Sequence, residues 1–201
     1  EELKQERYRQ LMRIKDQEVD KYLSIFGDKL NKIDDRDIIK EKMKYGDVES
    51  ITRYARMHYK GEKVPIDKKK AAEYYKIAAD KGSPTAMYNY GFMLQHGDGI
   101  PVNKSEAIRY YKMAIDSGNS SAMNSYAMML KRGEGVETNK TEAIRYYKMS
   151  MNQGNSVAMN SCAIMLHHGE GIPVNINEAV RHYKMGIQYG NISSMNNYAR
   201  M

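Results

Sequence analysis

The sequence predicts an all-α fold, an α-solenoid of stacked helix-turn-helix repeats with a 36-residue period. Three observations carry this. Gly46, Gly82, Gly118, Gly154 and Gly190 recur at intervals of 36, and whole columns of residues travel with them. Within each unit the apolar residues fall at helical spacing. The composition also suits helices, with only four prolines in 201 residues and no β-branched runs.

The columns set out each unit. Four residues after the glycine stand Ser50, Ala86, Ala122, Ala158 and Ser194, then Tyr54, Tyr90, Tyr126, Cys162 and Tyr198. Ala55, Gly91, Ala127, Ala163 and Ala199 come next, followed by Met57, Met93, Met129, Met165 and Met201. In the second half, Ala71, Ala107, Ala143 and Ala179 precede Tyr74-Tyr75, Tyr110-Tyr111, Tyr146-Tyr147 and His182-Tyr183.

The unit from Gly82 shows how this becomes two helices. Ala86, Met87, Tyr90, Gly91, Met93 and Leu94 cover one broad apolar arc. The loop Gly97-Asp98-Gly99-Ile100-Pro101 stops the helix, since glycine supplies a left-handed cap and proline cannot continue the hydrogen bonding. A second helix follows, capped by Asn103 or Ser105, with Ala107, Ile108, Tyr111, Ala114 and Ile115 as its stripe. One hairpin cannot bury its own face, so stacked neighbours stabilise it.

Residues 1–45 lack the pattern and are predicted to form a helical linker or degenerate capping segment. Residues 46–201 hold four full repeats and the first helix of a fifth. Leu11, Met12, Val19, Tyr22, Leu23 and Phe26 suggest a long amphipathic helix closing at Gly27. Asp34 or Asp35 then caps a shorter helix carrying Ile38, Ile39 and Met43, with Ile38-Ile39 in the register of the later tyrosine pairs.

The net charge is +7 and is spread thinly; residues 46–81, with nine basic and six acidic side chains, hold the largest share. A nucleic-acid interface needs a focused basic face, and only Arg53 to Lys70 approaches one. The single cysteine, Cys162, forms no disulfide within the chain, and no apolar run reaches the ~18 residues of a membrane span. No secretory signal opens the chain, which begins at Glu1 and stops at Met201 within the pattern. The expectation is a cytoplasmic location and a piece of a longer protein.

The columns resemble the Sel-1-like repeat family, a relative of the tetratricopeptide repeat with a longer unit. The likeness rests on Ala86 with Tyr90-Gly91, on the Ala-x-x-Tyr-Tyr runs, and on three turns: Gly97-Asp98-Gly99-Ile100, Gly133-Glu134-Gly135-Val136 and Gly169-Glu170-Gly171-Ile172. It covers residues 46–201. The first repeat departs from it, with Gly61-Glu62-Lys63 in the turn and His58 where Leu94, Leu130 and Leu166 stand later. The resemblance implies a right-handed superhelix that binds other proteins, often as an adaptor.

The candidate chemistry reduces to structure. The Gly-x-Gly loops follow helices rather than strands, so they read as helix stops and not as phosphate cradles. Asp98, Glu134 and Glu170 give one carboxylate per loop, too few for calcium. His167 and His168 are adjacent on a helix, about 100° apart, and form no chelating pair; His96 shares the column of His168. Cys162 reads as a small buried hydrophobe, with no partner set for a nucleophile. Sequons at Asn103, Asn119, Asn139 and Asn191 double as helix caps. The paired tyrosines read as hairpin packing. No catalytic residue, cofactor or metal site is predicted.

Columns that vary between repeats are the ones free to be specific. On the first helices these include Arg53, Arg56 and Lys60; Asn89, Phe92 and His96; Ser125, Met128 and Arg132; and Ser161, Ile164 and His168. In related solenoids this face is concave. Phe92, Met128 and Ile164 form an apolar column beside a basic end, which suits a protein segment with apolar anchors and an acidic flank. The same column could instead pack between neighbouring helices. The reading is a scaffold or adaptor without catalytic function. The alternative is a structural component of a cytoskeletal or filament assembly, for example on an acidic microtubule surface.

Overall fold

The computed structural model describes residues 35–201, and among them ten α-helices and no strand. These are α1 (Asp35–Lys44), α2 (Val48–Lys60), α3 (Lys68–Asp80), α4 (Pro84–His96), α5 (Lys104–Asp116), α6 (Ser120–Arg132), α7 (Lys140–Asn152), α8 (Ser156–His168), α9 (Ile176–Gln188) and α10 (Ile192–Ala199). The pairs α2/α3, α4/α5, α6/α7 and α8/α9 are four hairpins, and α10 is the first helix of a fifth unit. Each helix packs on its neighbours in sequence, so the array is built from nearest-neighbour interfaces. The long helix expected to close at Gly27 lies outside the described residues.

Helix ends follow local chemistry. Asp47, Ser83, Asn119, Asn155 and Asn191 cap the first helices, each accepting a backbone N–H three residues on. The second helices are capped in the same way by Asp67, Asn103, Asn139 and Asn175. The choice left open at the start of α5 falls to Asn103, which accepts from the Glu106 N–H at 3.1 Å while the Ser105 hydroxyl donates to its oxygen at 2.9 Å. All four sequon asparagines are therefore caps. Gly61, Gly97, Gly133 and Gly169 close the first helices in the left-handed conformation.

The core runs along the array. Within the four hairpins the alanines of these columns are fully buried, and Tyr110, Tyr111, Tyr183, Met93, Met129 and Met165 fill the space they leave. Tyr54–Tyr74, Tyr90–Tyr110 and Tyr126–Tyr146 meet edge-to-face within each hairpin, with ring centroids 4.8–5.0 Å apart. In the fourth repeat the corresponding residues are Cys162 and His182, both buried. At the other end, α1 occupies the place of a preceding second helix. Ile39 is buried against Tyr54 and Met57 while Ile38 is exposed, as the tyrosine register predicts.

The loop carboxylates tie successive repeats together. Asp98 accepts from the Tyr59 hydroxyl at 2.8 Å and pairs with Lys68, both in the preceding repeat. Glu134 likewise meets Gln95 and Lys104, each at 3.5 Å. Glu170 meets Lys131 at 3.0 Å and Lys140 at 3.9 Å. One residue from each helix of a hairpin thus grips the next repeat's loop.

Candidate partner-binding groove

The variable residues of the first helices share one face, and their accessibility differs along it. Arg53, Arg56, Lys60, His96, Arg132 and His168 are exposed, and Asn89, Phe92, Met128, Ser161 and Ile164 are half-buried. Ser125 is buried beside Tyr111, where it offers almost no surface to a partner. Its small side chain leaves room for that tyrosine.

Two adjoining cavities indent this face where α2 meets α4. The larger holds about 570 Å³ and is walled by Arg53 and Arg56 on α2, by Thr85 and Asn89 on α4, and by Lys81 in the turn between repeats. Tyr75 of α3 contributes to its lining, and among the described residues Glu49 is the single carboxylate in it. The smaller, about 120 Å³, is an aromatic slot formed by Tyr59, Tyr75, Tyr88 and Phe92. Tyr75 and Asn89 line both, so the basic cavity and the aromatic slot are continuous.

The electrostatics are simple. Arg53, Arg56 and Lys81 outnumber Glu49 around the larger cavity. Arg56 and Lys60 approach Glu62 at 3.8 and 3.7 Å, but all three are about half exposed, where such pairs contribute little. Burial pushes the Tyr59 and Tyr75 hydroxyls up to about 12, the Asp98 bond adding to the effect at Tyr59; both stay neutral hydrogen-bonding groups at physiological pH.

Four of the residues predicted from the sequence line these cavities: Arg53, Arg56, Asn89 and Phe92. The apolar column divides. Phe92 lines the slot, contacting His96 with ring centroids 4.3 Å apart, whereas Met128 and Ile164 pack against the core. Sequence reasoning missed Tyr59, Tyr75, Tyr88 and Lys81. The signal for Tyr88 was present, because its column reads Thr52, Tyr88, Asn124 and Asn160 and varies as much as those chosen.

The other candidate chemistries take structural places. The His167 and His168 rings stack with centroids 4.5 Å apart, so side-chain rotation closes the offset that their Cα positions imply. Among the described residues no group of three or more His, Cys, Asp or Glu is placed to hold a metal ion. Cys162 is buried and its thiol is pushed up to about 12 by that burial, which leaves it a core side chain. No helix among the described residues is long and apolar enough to cross a membrane.

This architecture has known counterparts. The chain is 29% identical to a Sel1 repeat protein from Oxalobacter formigenes, over 77% of this chain and 63% of that one, with a TM-score of 0.73. It is 27% identical to c5321, a protective antigen of uropathogenic Escherichia coli displaying an SLR fold, over 82% of this chain and 35% of that one, with a TM-score of 0.76. The chain thus spans less than two thirds of the length of either. The immunity protein Pa5087 from Pseudomonas aeruginosa, 19% identical over 79% of this chain and 59% of that one, shares the fold at a TM-score of 0.56. No curated protein matches the chain. Sel1 repeats are broadly used as scaffolds for protein–protein interaction. Four consecutive Sel1 repeats match residues 48–83, 84–119, 120–155 and 156–191, and the chain belongs to the Sel1 repeat family.

Proposed function

We propose that this chain is an interaction scaffold that holds a segment of a protein partner in the groove between α2 and α4, with an acidic flank of that segment against Arg53, Arg56 and Lys60. The observation that carries this reading is the continuity of a basic cavity of about 570 Å³ with an aromatic slot on the variable face. Fixed positions in the array are occupied by packing, and this groove is where variable side chains surround open space. An open, mixed groove of this kind suits a peptide laid along it, with apolar anchors supplying affinity and charge supplying orientation.

The test is affinity capture from a lysate, comparing the chain with a variant carrying substitutions at Arg53, Arg56, Phe92 and Met128. Met128 packs on the core, so the variant is first matched to the parent by circular dichroism and melting temperature. Partners lost from the folded variant support the groove. Partners retained by it place the interface elsewhere. A salt titration separates the filament alternative, since binding through dispersed charge weakens progressively with ionic strength while apolar anchoring persists.

A further inference from the structure

The groove has two chemically distinct compartments sharing one wall, and that arrangement specifies a ligand more narrowly than "a protein segment". The larger cavity has Arg53 and Arg56 on one side, Lys81 at its end and the hydroxyls of Thr52, Ser83 and Thr85 around it. The α4 N-terminus opens into the same space, with Ser83 as its cap and Pro84 and Thr85 in the lining. Its backbone dipole adds positive potential to that of the three cations. Among the described residues of the lining Glu49 is the opposing charge, and Glu62, outside it, stands 3.8 Å from Arg56. A carboxylate is the complementary group.

The slot beside it is lined by Tyr59, Tyr75, Tyr88 and Phe92, with Asn89 at the junction. Its volume of about 120 Å³ matches one large apolar or aromatic side chain, not a folded surface. Asn89 and Phe92 lie three residues apart on α4, about 4.5 Å along the axis at 1.5 Å per residue. An extended chain advances roughly 3.3 Å per residue, and side chains on one side of it recur every second residue, about 7 Å apart. Because Tyr75 and Asn89 line both compartments, the two adjoin closely enough to accept neighbouring side chains of one extended strand. Asn89, on the shared wall, donates from Nδ2 to the Thr85 carbonyl at 2.8 Å, and its amide oxygen is the group able to accept from a peptide backbone N–H passing over it.

We infer that the groove recognises an extended peptide in which an internal Asp or Glu lies within two residues of a large apolar or aromatic side chain, the carboxylate entering the Arg53–Arg56–Lys81 cavity and the apolar group the Tyr59–Tyr88–Phe92 slot. This rests on the peptide-groove reading and adds the two-part motif to it. The order along α2 and α4 puts the acidic residue on the side of the turn between repeats and the apolar one toward the Gly97 loop.

The test uses a random dodecapeptide library displayed between two fixed flanks, so that no chain-terminal carboxylate is available, selected against the chain. The expected result is enrichment of Asp or Glu within two residues of Phe, Tyr, Leu, Ile or Met. R53E/R56E should weaken the selected peptide by about ten-fold. A peptide with Lys in place of its acid should recover most of that loss on the charge-reversed chain, which an unfolded variant could not do. F92S should weaken binding by a similar factor. Selected peptides with apolar anchors but no acidic preference, sensitive to F92S and indifferent to R53E/R56E, overturn the two-part motif and the acidic flank, and leave standing only the reading that a peptide lies in this groove. No enrichment, or peptides indifferent to every one of these substitutions, overturns both.

Discussion

Gly99 sits directly on the backbone of Lys68, in the preceding repeat. A Cβ at Gly99 would come within 2.5 Å of the Lys68 Cβ and 2.6 Å of its carbonyl carbon. Gly135 stands in the same relation to Lys104, and Gly171 to Lys140. The second glycine of these three turns is thus an inter-repeat contact as well as a backbone device. Gly82 separates the two roles, since it also has positive φ, at +94°, but nothing lies within 4 Å of its absent Cβ.

G82A should cost about 1 kcal/mol, the strain of a left-handed alanine. G99A should cost about 3 kcal/mol or more, because backbone must move to admit the methyl group. Urea unfolding of the two variants gives the comparison. Equal losses would mean that the contact with Lys68 relaxes without penalty.

Asp98 supplies the charge at the same junction. The hydrogen bond from Lys68 holds its carboxyl below the ordinary carboxylate value, with Tyr59 adding to this and burial opposing it. A carboxylate whose folded value is depressed contributes stability that is fully present above the unfolded value, about 4, and lost as pH falls through the folded one. D98N should therefore lower stability by about 1 kcal/mol at pH 7 and by progressively less below about pH 4. Melting temperatures of parent and variant across that range provide the check.

His58 responds to acid at a higher pH. It is buried where the later repeats have Leu94, Leu130 and Leu166, in edge contact with Tyr54 at 4.8 Å. Burial lowers its affinity for a proton, the Lys70 charge works in the same direction, and the Pro65 carbonyl and Asp67 oppose them. The unfolded chain takes up the proton first, so stability falls as pH drops below about 6.5. H58L should raise stability by about 1 kcal/mol at pH 7 and flatten the melting profile between pH 7 and 5.5.

Among the described residues Lys63 is the non-glycine residue with positive φ, at 62°. It stands where later turns have Gly99, Gly135 and Gly171. K63G should stabilise the first repeat by about 0.5–1 kcal/mol through relief of that strain, less the flexibility glycine adds to the unfolded chain. A higher melting temperature for the variant would establish it; a lower one would show that contacts of the lysine side chain outweigh the strain.

Local chemistry made most of the array legible. A cap needs only an oxygen three residues before a backbone N–H, and a helix stop needs only a glycine in the left-handed region. Repetition turned each such signal into a column. The groove was legible in part. Arg53, Arg56, Asn89 and Phe92 were found because they vary, while Tyr75 was hidden because a tyrosine at that position also packs hairpins. Ser125 was chosen on the same variability, yet the structure buries it against Tyr111.

By itself, then, the sequence determined the period, the helix pairs, their caps and the identity of the packing columns, because each follows from interactions within a few residues of one another. The tertiary structure decided that the gap between α2 and α4 stays open. The space between α2 and α4 depends on side chains from three helices and a turn, and the gap that takes Ser125 is closed by a tyrosine fourteen residues away in sequence. Depth is a property of several columns meeting at once, and reading one column at a time does not reveal it.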